Sequence, residues 1–264
     1  GDDGQKMSKS LRNYPDPMFV FDTYGSDAMR WYLLSSSILR GADFSVSESG
    51  IRDTVRQVIL PLWNSWYFLS LYANAAGLSG RFRTDQSAVL DRYLLAELGD
   101  TISTVGGQMD AYDLFGACHS ITAFLDTLTN WYIRRSRDRF WSGDQDAIDT
   151  LHTALVTLCR LAAPLLPLTA EHIFRGLTGE RSVHLDDWPD ASEFPSDRGL
   201  VDGMQQARAV CSTILSMRKT NGLRVRQPLP GALVAQRGSV ELLEPHVELI
   251  RDEVNVKNLT LTSA

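Results

Sequence analysis

From Ile51 onward the apolar positions recur at helical spacing. Val55, Val58, Ile59, Leu62, Trp66 and Leu69 form one stripe, and Leu90, Leu94, Leu98, Ile102, Val105 and Met109 a second. Leu114, Cys118, Ile121, Leu125, Leu128 and Tyr132 form a third, and Ile148, Leu151, Leu155, Leu158 and Leu161 a fourth. Pro61 should kink the first element or open a new helix, because its ring lacks an N–H and collides with the preceding turn. Pro164 stops the fourth, and a shorter helix follows over about residues 169–177 with Gly179 just past its end. Amphipathic helices in series with short polar connections predict a mainly α fold, an antiparallel helix bundle.

The flanks read differently. Residues 1–17 are polar and read as a loop. Ser26 is the expected N-cap of a short helix, with Asp27 in its first turn, that ends near Ser35. Residues 40–50 are turn-rich, and residues 178–198, polar and Pro-containing, read as a linker. A helix over about residues 200–219 should bury Val201, Met204, Val210, Ile214 and Leu215, and Asn221-Gly222 ends it. Ala232-Leu-Val-Ala235 and residues 256–261 read as strands, with a helix around residues 242–253 between them. The expected organisation is therefore residues 1–50, the helical residues 51–190, and residues 191–264 as a helix plus a small α+β C-terminal unit. The chain contains no internal repeat.

Composition narrows the function classes. Of 264 residues, 44% are hydrophobic and 22% charged, which excludes wholesale disorder. The net charge of −6 excludes a uniformly basic nucleic-acid binder but leaves room for a local basic patch. No apolar run is long enough for a membrane span. The spacing of Cys118, Cys159 and Cys211 matches neither a zinc site nor a disulfide framework, so reduced core thiols in a cytoplasmic protein are expected. His119 beside Cys118 lacks further ligands, so no metal is expected. The chain begins with Gly1 rather than Met, which suggests a piece of a longer protein.

Lys6-Met7-Ser8-Lys9-Ser10 carries the sharpest chemistry. Two lysines and two hydroxyls on one loop can converge on a polyphosphate, where donors stabilise charge on a departing pyrophosphate. On its own, such a pentapeptide reads first as a solvated basic loop. In context, Gly4-Gln-Lys-Met-Ser-Lys-Ser-Leu-Arg-Asn-Tyr-Pro-Asp-Pro17 followed by Tyr24-Gly-Ser-Asp-Ala-Met-Arg-Trp-Tyr-Leu-Leu34 resembles class I aminoacyl-tRNA synthetases, and among them the isoleucyl enzymes. Leu60-Pro-Leu-Trp-Asn64, Asn130-Trp-Tyr-Ile-Arg-Arg-Ser-Arg-Asp-Arg-Phe-Trp141, Ala163-Pro-Leu-Leu-Pro-Leu-Thr-Ala-Glu171, Arg218-Lys-Thr-Asn-Gly-Leu-Arg-Val-Arg-Gln-Pro-Leu229 and Leu249-Ile-Arg-Asp-Glu-Val-Asn-Val256 extend the resemblance over nearly the whole chain.

The resemblance implies an ATP-binding loop at Lys6, Met7, Ser8, Lys9 and Ser10, with Lys6 and Lys9 the catalytic residues at the phosphates. It implies a stem-contact helix from Asp27 and an anticodon-binding bundle over residues 51–190. It further implies that the longer protein uses ATP with Mg, isoleucine and tRNA(Ile), and works as a cytoplasmic monomer with no metal in this segment and no membrane contact. None of the five histidines lies in a HIGH-type signature, so the other half of the nucleotide site is not in this stretch, and this chain alone should be inactive. A valyl enzyme fragment, a stand-alone tRNA-binding helical module and a helical scaffold with no RNA role are the alternatives.

Arg134, Arg135, Arg137 and Arg139 put four positive charges in six residues, with Trp131 close by. On an unbroken helix Trp131, Arg135 and Arg139 share a face. Guanidinium with a nearby ring suits unpaired bases and phosphates. A solvated helix end is the competing account, and the resemblance favours tRNA binding by these five residues. Arg218, Lys219, Arg224 and Arg226 form a second basic stretch, suited equally to RNA backbone and to interdomain salt bridges. His172 beside Glu171 reads as a helix-surface pair, and Trp63, Trp66 and Tyr67 as core packing.

Overall fold

The computed structural model describes residues 6–8, 10, 13–236 and 240–263. The chain divides into two compact units, Gly1–Pro195 and Ser196–Ala264. Both are mainly helical, and the second adds a two-stranded parallel sheet.

In the first unit, α1 (Pro17–Tyr24) begins where Asp16 accepts the backbone N–H groups of Met18 and Phe19 at 2.8 and 3.1 Å. Gly25, at φ 85°, turns the chain into α2 (Ser26–Leu34). Gly25 thus takes the N-cap position expected of Ser26, a backbone conformation that glycine adopts without Cβ strain. Asp27 does not cap its own helix either. It is 5% exposed and its carboxylate accepts the N–H groups of Leu168 and Thr169, the latter at 2.7 Å. Those residues open α9 (Pro167–Thr178), whose own N-cap position, Leu166, offers no side-chain acceptor. Arg30 adds a bond of 2.8 Å to the Pro164 carbonyl, so α2 is fastened to the corner before α9 at two points.

α3 (Glu48–Thr54), capped by Ser47, continues through a π-helical segment, Val55–Ile59, into α4 (Leu60–Ala76). Pro61 therefore neither ends the element nor starts an independent one. The Leu60 N–H reaches back five residues to Val55, and this wider turn relieves the crowding between a proline ring and the turn before it. α5 (Val89–Asp110), α6 (Leu114–Asp126) and α8 (Gln145–Ala162) bring the apolar stripes together. Leu94, Leu98, Ile102, Cys118, Ile121, Leu125, Leu151, Leu155 and Leu158 are all buried in one cluster. Each buried aliphatic side chain of this size contributes ~1.5–3 kcal/mol relative to exposure. Trp31 of α2 belongs to the same cluster.

Residues 178–198 are not a linker. Val183 and Phe194 are buried in this core, and Arg160 pairs with Asp186 at 2.7 Å. The segment looks polar because a few apolar side chains, Val183 and Phe194 chief among them, hold it down. In the second unit, α10 (Arg198–Thr220) buries Val201, Met204, Ala207 and Cys211, while Val210, Ile214 and Leu215 are half-buried. β1 (Leu229–Gln236) and β2 (Val256–Ser263) pair in parallel from Leu229 opposite Val256 to Gln236 opposite Ser263. Parallel strands need a crossover, and α11 (Val247–Val254) lies in it. Among the described residues no helix is long and apolar enough to cross a membrane.

His152 and His246 are sheltered, and burial lowers both imidazoles below the usual range; at His152 the Leu177 carbonyl offsets only part of this. The folded chain thus holds them neutral while the unfolded chain takes up protons below about pH 6.5. Stability from these groups is present above that pH and lost as pH falls through it. Urea midpoints should drop between about pH 7.5 and about pH 5.5, and His152→Gln should reduce that drop; a pH-independent midpoint would overturn this account.

Candidate nucleic-acid interface and phosphate loop

Of the five loop residues singled out in the sequence, Lys6, Met7, Ser8 and Ser10 are described, and Lys9 lies outside the described residues. Asn13 organises the turn. The Ser8 N–H donates to Asn13 Oδ1 at 3.0 Å, and Asn13 Nδ2 donates to the Lys6 carbonyl at 3.3 Å. The Ser8 and Ser10 hydroxyls lie 2.6 Å apart, and the Ser10 N–H donates to Ser8 Oγ. Lys6 and Ser10 are exposed. The two adjacent hydroxyls and an exposed ammonium are a donor set suited to phosphate oxygens. Asn13 was missed in the sequence, although an amide soon after a basic loop is the kind of residue that ties such a turn.

The arginine segment departs from an unbroken helix. Thr127–Ile133 is π-helical, the turn breaks at Ser136, and α7 (Arg137–Trp141) follows. The expected face of Trp131, Arg135 and Arg139 is not an open one: Trp131 is buried and Arg139 is bound to a buried carboxylate. Trp131 is 5% exposed and offers no open ring face for a base; the Arg135 and Arg134 guanidinium carbons stand 5.6 and 6.0 Å from its ring. Arg134 and Arg137 are exposed and Arg135 is half-buried.

Arg139 turns inward. Nη1 and Nη2 donate to the two oxygens of Asp91 at 2.6 and 2.7 Å, and Nε donates to Asp144 at 2.8 Å. Asp91 is fully buried and also accepts from the Tyr132 hydroxyl at 2.8 Å. The bond to Asp91, reinforced by the one to Asp144, raises the Arg139 pKa above its ordinary value despite burial. Burial pushes the Tyr132 hydroxyl up, and the neighbouring Asp91 charge adds to this. Burial would raise the Asp144 carboxyl, but Arg139 and the Ala147 N–H outweigh it and hold it below the usual range. Arg139 is thus committed to structure and is removed from the set of available RNA contacts, as is Trp131.

A cavity of about 610 Å³ opens beside this segment. Gln57 of the first π-helical segment and Asn130 of the second face it, together with Asn64 and Phe68 of α4, and Arg56 and Arg137 also line it. Both segments of widened helix among the described residues therefore contribute to one opening lined by several amide groups. The sequence stripes could not show this, because these residues lie between the apolar positions.

Other expectations are revised by the packing. Trp63 and Tyr67 are exposed rather than core residues, at 38% and 62%; only Trp66 packs against the core. His172 stacks on Trp63 with centroids 5.2 Å apart, while Glu171 accepts from Ser182 and the Val183 N–H, so the two are not a pair. His119 bonds the Phe115 carbonyl at 2.8 Å. All three cysteines are buried and free, and burial pushes the Cys118 thiol up to about 12. Among the described residues no three His, Cys, Asp or Glu side chains gather as metal ligands.

Residues 91–233 match the family described as the anticodon-binding domain of tRNA ligase, and residues 1–45 match tRNA synthetases class I (I, L, M and V). The chain is 58% identical over 264 residues to an isoleucine–tRNA ligase of Mycobacterium tuberculosis, covering 100% of this chain and 25% of that protein. It is 55% identical over 263 residues to the isoleucine–tRNA ligase of Nocardia farcinica, again 100% of this chain and 25% of the relative. The chain thus spans about a quarter of the length of the curated relatives it matches. Among solved structures, LeuRS of Agrobacterium radiobacter K84 in a ternary complex with tRNA and LeuAMS aligns with a TM-score of 0.54 and 24% identity, covering 73% of this chain and 23% of that one. That likeness concerns the fold.

The last two arginines of the segment should separate cleanly. Arg139→Met strands a buried carboxylate and should cost about 3 kcal/mol or more in urea unfolding. Arg137→Ala, at an exposed position, should stay within about 0.5 kcal/mol of the parent chain. Equal effects would contradict the division drawn between them.

Proposed function

The chain belongs to the tRNA ligase family defined by the anticodon-binding domain, and from that premise we propose that it is a section of an isoleucine–tRNA ligase. In this reading residues 1–50 end the catalytic domain, residues 51–190 bind the anticodon limb of tRNA(Ile), and residues 191–264 form a C-terminal junction. The observation that carries the reading is the similarity at 55–58% identity along the whole chain to proteins bearing that name. α5 and α6, joined by residues 111–113, pack against each other, which supports the antiparallel helix bundle of this reading.

The longer cytoplasmic protein, a monomer in this reading, joins isoleucine to tRNA with ATP and Mg. The isoleucine carboxylate attacks the α-phosphate, pyrophosphate leaves, and a tRNA ribose hydroxyl then takes the acyl group. Lys6 and Lys9 stabilise charge on the phosphates, with Ser8 and Ser10 donating to their oxygens. The bundle holds the anticodon loop through the exposed Arg134 and Arg137 and the half-buried Arg135. The cavity between the π-helical segments takes an unpaired base, because the amides of Gln57, Asn64 and Asn130 can each donate to and accept from a base edge.

Two measurements test this. The 264-residue chain should give no ATP–pyrophosphate exchange above background, because positioning of both substrates supplies much of the rate and only one phosphate loop is in this stretch. In filter binding, Arg134→Ala and Arg135→Ala should weaken capture of an isoleucine anticodon stem-loop. Arg52→Ala should matter little, since Arg52 is occupied by Glu48 at 2.9 Å and by Tyr24. Isoleucyl adenylate formed by this chain, or both arginine variants binding like the parent at every salt concentration, would count against the assignment.

A further inference from the structure

In the second unit a buried arginine organises a loop of exposed cations. Arg218, in the last turn of α10, is 2% exposed. Main-chain carbonyls take up both Nη atoms of its guanidinium, while Nε is buried without a hydrogen-bond partner. Nη2 donates to Arg224 at 2.6 Å, to Val225 at 3.3 Å and to Gln227, and Nη1 donates to Val254 at 3.2 Å. Burying a cation is costly unless hydrogen bonds replace its water, and here carbonyl dipoles do so at the two Nη atoms. No carboxylate among the described residues forms an ion pair with Arg218.

Other bonds tighten the same loop. The Leu223 N–H returns to the Arg218 carbonyl at 2.8 Å, and the Gln227 N–H closes a turn on Arg224 at 3.0 Å. Asn255, at φ 51°, donates Nδ2 to the Val225 carbonyl at 2.8 Å. The loop carbonyls are drawn toward Arg218, and the side chains of Lys219, Arg224 and Arg226 are left exposed. Among the described residues none of these three has a carboxylate partner. The result is three uncompensated positive charges on a fixed stretch of a chain whose net charge is −6. Exposed Met217 and Val225 flank them and add apolar surface that a ribose or base can cover and a free inorganic anion does not use.

We propose that residues 217–226 form a second RNA-contact site, in which Lys219, Arg224 and Arg226 hold phosphates of the tRNA backbone and Arg218 is a positioning residue that fixes their loop. This rests on the reading that the chain binds tRNA, and it adds a contact in a compact unit separate from Arg134, Arg135 and Arg137. Guanidinium groups suit bidentate phosphate contacts, and a loop already ordered loses less freedom on binding.

The test is filter binding of bulk tRNA to the 264-residue chain and to a Lys219→Gln/Arg224→Gln/Arg226→Gln variant across a salt series, with circular dichroism to verify folding. The variant should bind at least ten-fold more weakly at low salt. Each lost contact lowers the log–log salt slope by roughly 0.7–0.9, so the slope should fall by about 2. Arg218→Lys keeps the charge but cannot reach four carbonyls, and should weaken binding without changing the net charge. If the parent chain binds tRNA and the triple variant matches it in affinity and slope, the loop is not a contact, and the tRNA reading stands without it. If the parent binds no tRNA at low salt, the tRNA reading itself fails. A triple variant that loses inorganic tripolyphosphate but keeps tRNA would mark a plain anion patch and overturn the proposal.

Discussion

The first unit depends on one buried charge. Asp91 enters the core at the start of α5 with no access to water, and it is tolerable there only because Arg139 grips both its oxygens and Tyr132 donates to one of them. A carboxylate buried without such partners costs several kcal/mol, so the position of every partner is dictated by it. Asp144 joins the same guanidinium and also caps α8 by accepting the Ala147 N–H at 3.1 Å. The start of α5, the second π-helical segment, α7 and the N-terminus of α8 therefore converge on one side chain. The density of arginine around residues 134–139 is partly explained by this internal demand, before any ligand is considered.

The two widened segments are the second constraint. An α-helix advances by about 100° per residue, so one extra residue in a turn rotates everything after it onto another face. The apolar stripes survive it, since Leu62 and Leu69 after the first segment and Leu128 and Tyr132 inside the second are buried as their spacing predicts; which way the polar side chains turn is what spacing leaves open. Leu114, Cys118, Ile121 and Leu125 were legible in the sequence, whereas the expectation of an RNA-facing surface on Trp131 and Arg139 was not met, because Trp131 is buried and Arg139 is bound to buried Asp91. It also explains the cavity, since Gln57 and Asn130 both occupy widened turns. Apolar periodicity records which residues are inside a regular helix and is silent about where the helix stops being regular.

The candidate phosphate loop could be picked out because Lys6-Met7-Ser8-Lys9-Ser10 is contiguous, and no tertiary information is needed to see it; its role at phosphates belongs to the proposed function. What was not legible depends on partners far apart in the chain. Asp27 meets Thr169, Arg139 meets Asp91, and Arg218 meets Val254, each pair brought together only by the fold. Charged residues are also ambiguous in a way that leucines are not. Arg137 and Arg139 are two positions apart and look alike in the sequence, yet one is exposed and the other is bound to two carboxylates.

The bond from Asp27 to the start of α9 bears on how this protein can be dissected. Residues 91–233 define a family by similarity, but their packing extends beyond those bounds. A chain cut before α5 would leave the first turn of α9 without its only side-chain cap from α2, and would remove Trp31, α3 and α4 from the shared core. The unit of descent and the unit of folding have different edges here. An autonomous version of this region has to reach back at least to α2, across a boundary that sequence comparison draws between two domains.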